Sequence, residues 1–586
     1  MARARRVRLY DEEVAEAHPV DRLLHAAVGS ATRSVSPASL ALAYTDWALH
    51  LSMHPGKQTQ LTEKALRKAL RLGVYASRCM THGSAEPCIS PLANDNRFDD
   101  PAWQRMPYSL IYQSFLLTQQ WWHNATTGVR GVDPHHEEVM NFVGRQLLDI
   151  WSPSNFLFTN PEIMQRTLEE GGQNLVRGFQ NWVEDFEREI GRRPPVGVEK
   201  FKVGENLAAT PGKVVYRNRL MELIQYSPST KTVYPEPLLI VPAWIMKYYI
   251  LDLSPGKSLV EYLVDRGHTV FMISWKNPTT EDRDLGLDDY RRLGVMDALD
   301  AVSAIVPEQK VHSVGYCLGG TLLMLAAATM ARDHDERLAS MTLFAAQADF
   351  TEPGELDLFI DESEVTFLED VMWARGYLAR GQMAGAFQLL RSQDLFWSRM
   401  VRDYLMGERQ PIFDLMAWNA DATRLPYRMH SQYLRDLFLN NDFVEGRFDV
   451  GGQPIHLGDI QAPIYAVGTE KDHVAPWESV YKIVRLARTE TTFLLTKGGH
   501  NAGIVSEPGH QGRYYRVAAH QPFADLYMPP EEFLRQTPKK EGSWWPEWEQ
   551  WLREHSGNRV QPPSMGAPDR GYRPVEDAPG TYVLMT

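Results

Sequence analysis

Five residues restrict the fold most: Gly315-Tyr316-Cys317-Leu318-Gly319. They follow the β-like run His312-Ser313-Val314 and precede Gly320-Thr-Leu-Leu-Met-Leu-Ala-Ala-Ala-Thr, a strongly apolar helical stretch. Strand, sharp turn and helix form the setting of a G-x-S-x-G nucleophile elbow, here with sulfur in place of the hydroxyl. The flanking glycines are needed because strand and helix pass too close for a Cβ. The central residue takes a strained conformation that projects its side chain into the site, and the helix N-terminus behind it favours an anionic sulfur. Cys79 and Cys88 have no such setting and are read as structural or incidental.

An elbow of this kind needs strands and helices in alternation. Short apolar, β-branched runs stand at 221–226, 238–241, 269–275, 311–315, 341–345, 464–468 and 492–495, with helical stretches such as 257–266 and 296–306 between them. That texture predicts a mostly parallel sheet covered on both faces. Between about 350 and 460 the alternation stops; the stretch is helix-rich and aromatic, and is read as a cap inserted into the α/β domain. Before residue 200 the apolar spacing is helical, as in 61–72 and 174–186, and Arg192-Arg-Pro-Pro-Val-Gly197 marks a break. The expected organisation is an α/β-hydrolase fold with a helical cap over 201–586, preceded by an all-helical domain over 1–200. Residues 81–101 read as a loop and the Pro- and Gly-rich end from Asn558 as an irregular tail.

An acid and then a histidine should follow the nucleophile, each on a loop after a strand. Asp472, in Thr469-Glu-Lys-Asp472-His473-Val-Ala-Pro476, and His500, in Thr496-Lys-Gly-Gly-His500-Asn-Ala-Gly503, stand in those places. Asp349 is the weaker candidate for the acid, and His473 is read as a neighbouring polar contact. For the oxyanion hole, the Leu318 N–H is one donor. Trp244, in Pro242-Ala243-Trp244 after the run 238–241, supplies the other, with Ile245 as alternative. His135-His136-Glu137-Glu138 looks metal-like, but consecutive helical positions diverge by about 100°, so a solvated helix start is the better reading and no metal is expected. His430, His456 and His510 have no motif context.

Composition narrows the partners. With 586 residues and net charge −13 the chain lacks the basic footprint of a nucleic-acid binder. Three cysteines make no disulfide framework, and the start MARARRVRLYDEE has no apolar stretch behind it; both fit the cytoplasm. The longest apolar stretch, 322–331, is about half of the ~20 residues a spanning helix needs.

A thiolate attacking an acyl thioester exchanges one thioester for another and keeps the acyl group activated, whereas a serine would form an oxygen ester. Sulfur therefore suits an acyltransferase that takes acyl groups from coenzyme A and passes them to an alcohol, under a cap that excludes water.

The chain also resembles a known family, the polyhydroxyalkanoate (PHA) synthases, most closely the long single-component type. The resemblance covers nearly the whole chain from about Asn96. It is carried by Arg97-Phe-Asp-Asp-Pro-Ala-Trp103, Asn155-Phe-Leu-Phe-Thr-Asn-Pro161, the block Val241-Pro-Ala-Trp-Ile-Met-Lys-Tyr-Tyr-Ile-Leu-Asp-Leu-Ser-Pro255 and Gly267-His-Thr-Val-Phe-Met-Ile-Ser-Trp275. The Cys317 elbow, Trp418-Asn-Ala-Asp-Ala-Thr-Arg424, Gly499-His-Asn-Ala-Gly503 and Gly542-Ser-Trp-Trp-Pro546 complete it. Pro-Ala-Trp stands where the family more often has Pro-Pro-Trp, and the first ninety or so residues match less clearly. The resemblance implies polymerisation of (R)-3-hydroxyacyl-CoA into polyester with release of CoA. Cys317 would hold the growing chain, and Asp472 and His500 would fill the family's acid and base positions. In that family the acid is assigned both to orienting the histidine and to activating the 3-hydroxyl. No cofactor is implied, since CoA departs with each turnover. A homodimer formed through the cap and association with polyester granules are implied as well. A cysteine-dependent hydrolase, either a polyester depolymerase or a thioesterase, is the enzymatic rival; a granule-associated binding protein is the non-catalytic one. Trp418 is read equally as acyl-tunnel wall or cap core, and Trp544, Trp545, Trp548 and Trp551 as packing residues.

Overall fold

The computed structural model describes residues 18–83, 85–92, 95–191, 193–382, 396–522 and 526–586; the basic start of the chain lies outside the described residues. The sheet that carries the site has eleven strands: β1 Gly212–Arg217, β2 Met221–Tyr226, β3 Leu238–Val241, β4 Val270–Trp275, β5 Val311–Tyr316, β6 Leu338–Phe344, β7 Ile464–Thr469, β8 Thr491–Thr496, β9 Tyr514–His520, β10 Lys540–Glu541 and β11 Glu576–Asp577. Across the sheet they run β10-β9-β8-β7-β6-β5-β3-β4-β2-β1-β11. The six strands from β8 to β4 are mutually parallel. Beyond them every pairing is antiparallel. Strands β2 to β5, β7 and β8 are buried along their whole length, as expected where helices cover both faces.

After β3 the chain adds β4 on one side and later returns to lay β5 on the other, with Val241 beside Gly315. This reversal opens a crevice at the carboxyl ends of β3 and β5, where ligands bind in sheets of this kind. The loops after β3, β5, β7 and β8 all emerge at that edge.

Between β6 and β7 lies the cap, mostly helical, with the helices Glu362–Arg375 and Tyr427–Gln432 over the crevice. Before β1 the chain forms its helical half: among the described residues seven α-helices, from Pro19–Thr32 to Gln173–Ile190. Several begin with proline in the first turn behind a side-chain cap from Ser36, Asp133 or Asn160. This half has small cores of its own, around Phe98, Trp103 and Tyr112 and around Ala43 and Val139, and it grips the cap. The Ser36 N–H donates to Glu364 (2.7 Å) and His25 meets Asp370 (2.7 Å). Asn174 and Asn181 donate to the carbonyls of Leu405 and Asp403. Gly178 lies so close to Tyr404 that a Cβ would fall 1.7 Å from its carbonyl oxygen.

The tail departs from expectation. Residues 576–586 are a fitted strap: β11 pairs with β1, the Thr581 and Tyr582 N–H groups donate to the buried Glu222 carboxylate, and Lys247 donates to the Met585 carbonyl at 2.5 Å. Strands β1, β9 and β10 are likewise additions to the expected set. Among the described residues, no helix is long and apolar enough to cross a membrane.

Candidate active site

Cys317 sits at the elbow with φ 52° and ψ −123°, a conformation that costs a non-glycine residue about 1–3 kcal/mol. The surroundings enforce it. Cys317 N–H donates to the Phe344 carbonyl on β6 (2.8 Å). A Cβ on Gly315 would lie 2.4 Å from Gly320, and one on Gly319 would lie 2.1 Å from the Val241 carbonyl oxygen. Glycine is thus required on both sides because β5, β3 and the helix Leu318–Arg332 touch backbone to backbone. That helix is buried through almost its entire length. Its first N–H, on Leu318, has no carbonyl a turn behind it and stands beside the sulfur.

Asp472 and His500 come from the turns after β7 and β8, whose last residues pair in register. His500 Nδ1 lies 2.8 Å from Asp472 Oδ2. The same oxygen accepts from the Thr469 hydroxyl (3.0 Å), while Oδ1 accepts the N–H groups of Val474 (2.9 Å) and Ala475 (2.8 Å). The carboxylate is completely shielded from solvent. Burial alone would raise its pKa, but the attraction of His500 and these donors outweigh it and hold Asp472 below the ordinary carboxylate range. Burial would likewise lower His500; the charge of Asp472, together with Cys317 on its other side, instead lifts it well above the usual imidazole value. Cys317, His500 and Asp472 therefore form one line of interacting groups.

His500 is braced from behind. The indole N–H groups of Trp544 and Trp545 donate to the carbonyls of Gly503 (3.0 Å) and Ile504 (2.9 Å), and Tyr316 OH donates to Asn501. These tryptophans pack as expected, and their polar ends also pin the loop that carries His500.

Over Cys317 lies a small chamber of about 50 Å³, walled by Ile245, Leu318, Phe350, His430, Tyr433 and Val474, among others. Ile245 borders it, while the ring of Trp244 is buried against Tyr290. Thr423 holds both residues' carbonyls, the Oγ1 of Thr423 donating to Trp244 O at 2.6 Å and its N–H to Ile245 O at 3.2 Å. Asp349 is occupied elsewhere, accepting from Thr351 and Asn441. His473 faces Glu355 at the surface. Trp418 is buried, donates to the Lys247 carbonyl and belongs to the cap core. His135 and His136 pair with Asp361 and Asp46 at the start of the helix Pro134–Ile150. Among the described residues no three metal-ligating side chains gather. His430 is the residue that the sequence pattern missed: it borders the chamber from the cap, 113 positions after Cys317, and no local spacing could have announced it.

Comparison with known proteins places this chain in a family. The chain is 41% identical over 535 residues to a poly(3-hydroxyalkanoate) polymerase of Methylorubrum extorquens, covering 89% of this chain and 87% of that protein. It belongs to the poly(3-hydroxyalkanoate) polymerase family. Further relatives are the poly(3-hydroxyalkanoate) polymerase subunits PhaC of Rhizobium meliloti, 39% identical (84% of this chain, 79% of the relative), and of Cupriavidus necator, 37% identical (86% and 85%). Family models agree: a poly-beta-hydroxybutyrate polymerase N-terminal model matches residues 15–57, and the PhaC N-terminus model matches 94–263. The alpha/beta hydrolase fold model matches 236–507. The polymerase family resemblance thus reaches into the first ninety residues, and its 94–263 block runs on past residue 200 through β1, β2 and β3.

Proposed function

We propose that this chain polymerises (R)-3-hydroxyacyl-CoA into polyester, with Cys317 as nucleophile, His500 as base and Asp472 as the residue that orients it. The observation that carries the reading is the line from the strained Cys317 through His500 to a sealed Asp472, set beneath a cap in a member of the polymerase family.

In the proposed cycle, His500 takes the thiol proton as Cys317 sulfur attacks the thioester carbonyl. The carbon–sulfur bond to CoA breaks, and CoA leaves with that proton as a thiol. The 3-hydroxyl of a second hydroxyacyl-CoA then attacks the acyl-enzyme thioester, His500 taking the hydroxyl proton; the carbon–sulfur bond to Cys317 breaks, the proton passes to the released sulfur, and the lengthened CoA thioester reacylates Cys317, so that one oxygen ester forms per CoA released. The Leu318 N–H faces the carbonyl oxygen where negative charge develops, with Trp244 or Ile245 giving the second donor. Thr423 holds the Trp244 carbonyl, so the Ile245 N–H on the same trans peptide points away from it.

The surroundings of Asp472 favour orientation over direct activation of the hydroxyl. A carboxylate offers about four acceptor sites, and His500, Thr469, Val474 and Ala475 use them. None is left for a substrate hydroxyl, so that proton goes to His500. Homodimer formation through the cap and granule association follow from the family reading alone, and a cytoplasmic location is supported by the three cysteines of the sequence as well.

The test supplies purified chain with (R)-3-hydroxybutyryl-CoA and follows CoA thiol together with turbidity. Both should rise together. CoA release without polymer would make the chain a thioesterase, and no CoA release from folded protein would end the reading.

A further inference from the structure

The chamber over Cys317 is too small for a chain, but it shares the walls Leu356, His430 and Tyr433 with a second cavity of about 450 Å³. That volume falls in the ~300–1,000 Å³ range of small-molecule sites. The larger cavity lies between the helical half and the cap, with Val35 and Ile150 on one side and Leu368, Leu434 and Phe438 on the other. Its walls are mostly aliphatic and aromatic, and Arg33, Gln146, Glu364 and Gln382 stand among them.

His430 stands at the neck common to both spaces. It is 4% exposed, stacks on Tyr433 (6.0 Å between ring centres), and its ring makes no hydrogen bond with any described residue. Burial pushes its pKa down to about 4, so the imidazole is neutral and has one N–H to give. It lines both spaces, so a ligand that carries a carbonyl can accept that N–H.

We propose that the acyl chain held on Cys317 threads past His430 and Tyr433 into this larger cavity, so that nascent polyester leaves between the helical half and the cap, with His430 donating to an ester carbonyl at the neck. The inference rests on the polymerase reading above and adds the route. An apolar, carbonyl-bearing chain fits a mostly aliphatic and aromatic cavity with the His430 N–H at its mouth, beside the Tyr433 hydroxyl.

The test loads the full chain with a (R)-3-hydroxybutyrate trimer thioester of CoA bearing a diazirine at its hydroxyl end. After photolysis, the cross-linked residues are mapped by mass spectrometry. Cross-links at Leu434, Phe438, Leu368 or Val35 are the expected result. Loading of Cys317 followed by cross-links elsewhere, or by none, overturns the route while leaving the polymerase reading intact. Failure of Cys317 to take the trimer, together with failure to release CoA from the monomer thioester, removes the polymerase reading itself. Val35→Trp should abolish the Leu434 and Phe438 cross-links. His430→Phe should lose elongation and His430→Gln regain it; elongation by the phenylalanine variant at the wild-type rate would remove His430 from the neck.

Discussion

Asp472→Asn tests the site most sharply, because every acceptor position on that carboxylate is taken. Val474 and Ala475 present backbone N–H groups that cannot reverse, so the amide oxygen must stay at the Oδ1 position. The amide NH₂ then replaces Oδ2 and faces His500 Nδ1 and the Thr469 hydroxyl. The hydroxyl can rotate to accept. The imidazole can avoid a donor–donor contact only by moving its proton to Nε2, where it can no longer take one from Cys317. The same trap in a serine protease triad costs about 10⁴ in turnover, or about 5 kcal/mol, and a loss of that order is expected in the rate of thioester consumption. Stability gives an independent readout. His500 is raised above 6.5 in the folded protein, so its share of the stabilisation is complete below that value and fades as pH rises through the folded one. Asp472 is lowered from 3.8, so its share is present above that value and fades as pH falls through the folded one. The difference in Tm between wild type and Asp472→Asn should therefore be widest between about pH 4 and about pH 6.5. A variant within about tenfold of the wild-type rate, with a Tm gap that ignores pH, would refute the assignment. Asp349→Asn is the control: its carboxylate is engaged by Thr351 and Asn441, and the rate should change little.

Cys317→Ala should abolish CoA release with the circular dichroism spectrum unchanged; turnover near the wild-type rate would contradict the nucleophile. Gly319→Ala places a Cβ 2.1 Å from the Val241 carbonyl oxygen and 2.6 Å from that of Pro242. Strain of about 1–3 kcal/mol should appear in the urea midpoint. Displacement of the Leu318 N–H should slow acylation by about 10²–10³, and a silent variant would show that the elbow is loose. Trp544→Phe removes the bond to the Gly503 carbonyl, so stability should fall by about 1 kcal/mol and turnover should fall with it; stability lost without any change in rate would mean that the brace does not position His500.

How much of this was readable in advance depends on how local the cause is. The elbow was legible because backbone contact between β5, β3 and the following helix demands glycine at fixed spacing from the nucleophile. The seven expected strands were legible because burial on both faces makes each a short unbroken apolar run, as in Leu238-Leu-Ile-Val241. β1 escaped notice because a bulge between Val214 and Tyr216 breaks its alternation, and β9, half-exposed at the flank, carries Arg516 and His520 within its run. The strap 576–586 is held by backbone pairing and by Glu222, more than 350 residues away in sequence, which no window can see. His430 and the Trp544–Gly503 bond are the same kind of fact: their meaning comes from the folded neighbourhood and not from the residues beside them in the chain.

The helical half holds the cap through Asp370, Glu364, Asp403 and Leu405, whereas Cys317, Asp472 and His500 all stand on turns of the sheet. Ceiling and floor thus have separate foundations. The ceiling is nevertheless tied to the loop after β3, where Thr423 holds the carbonyls of Trp244 and Ile245, so a strain entering through the helices reaches that loop before it reaches the turns that carry Cys317, Asp472 and His500.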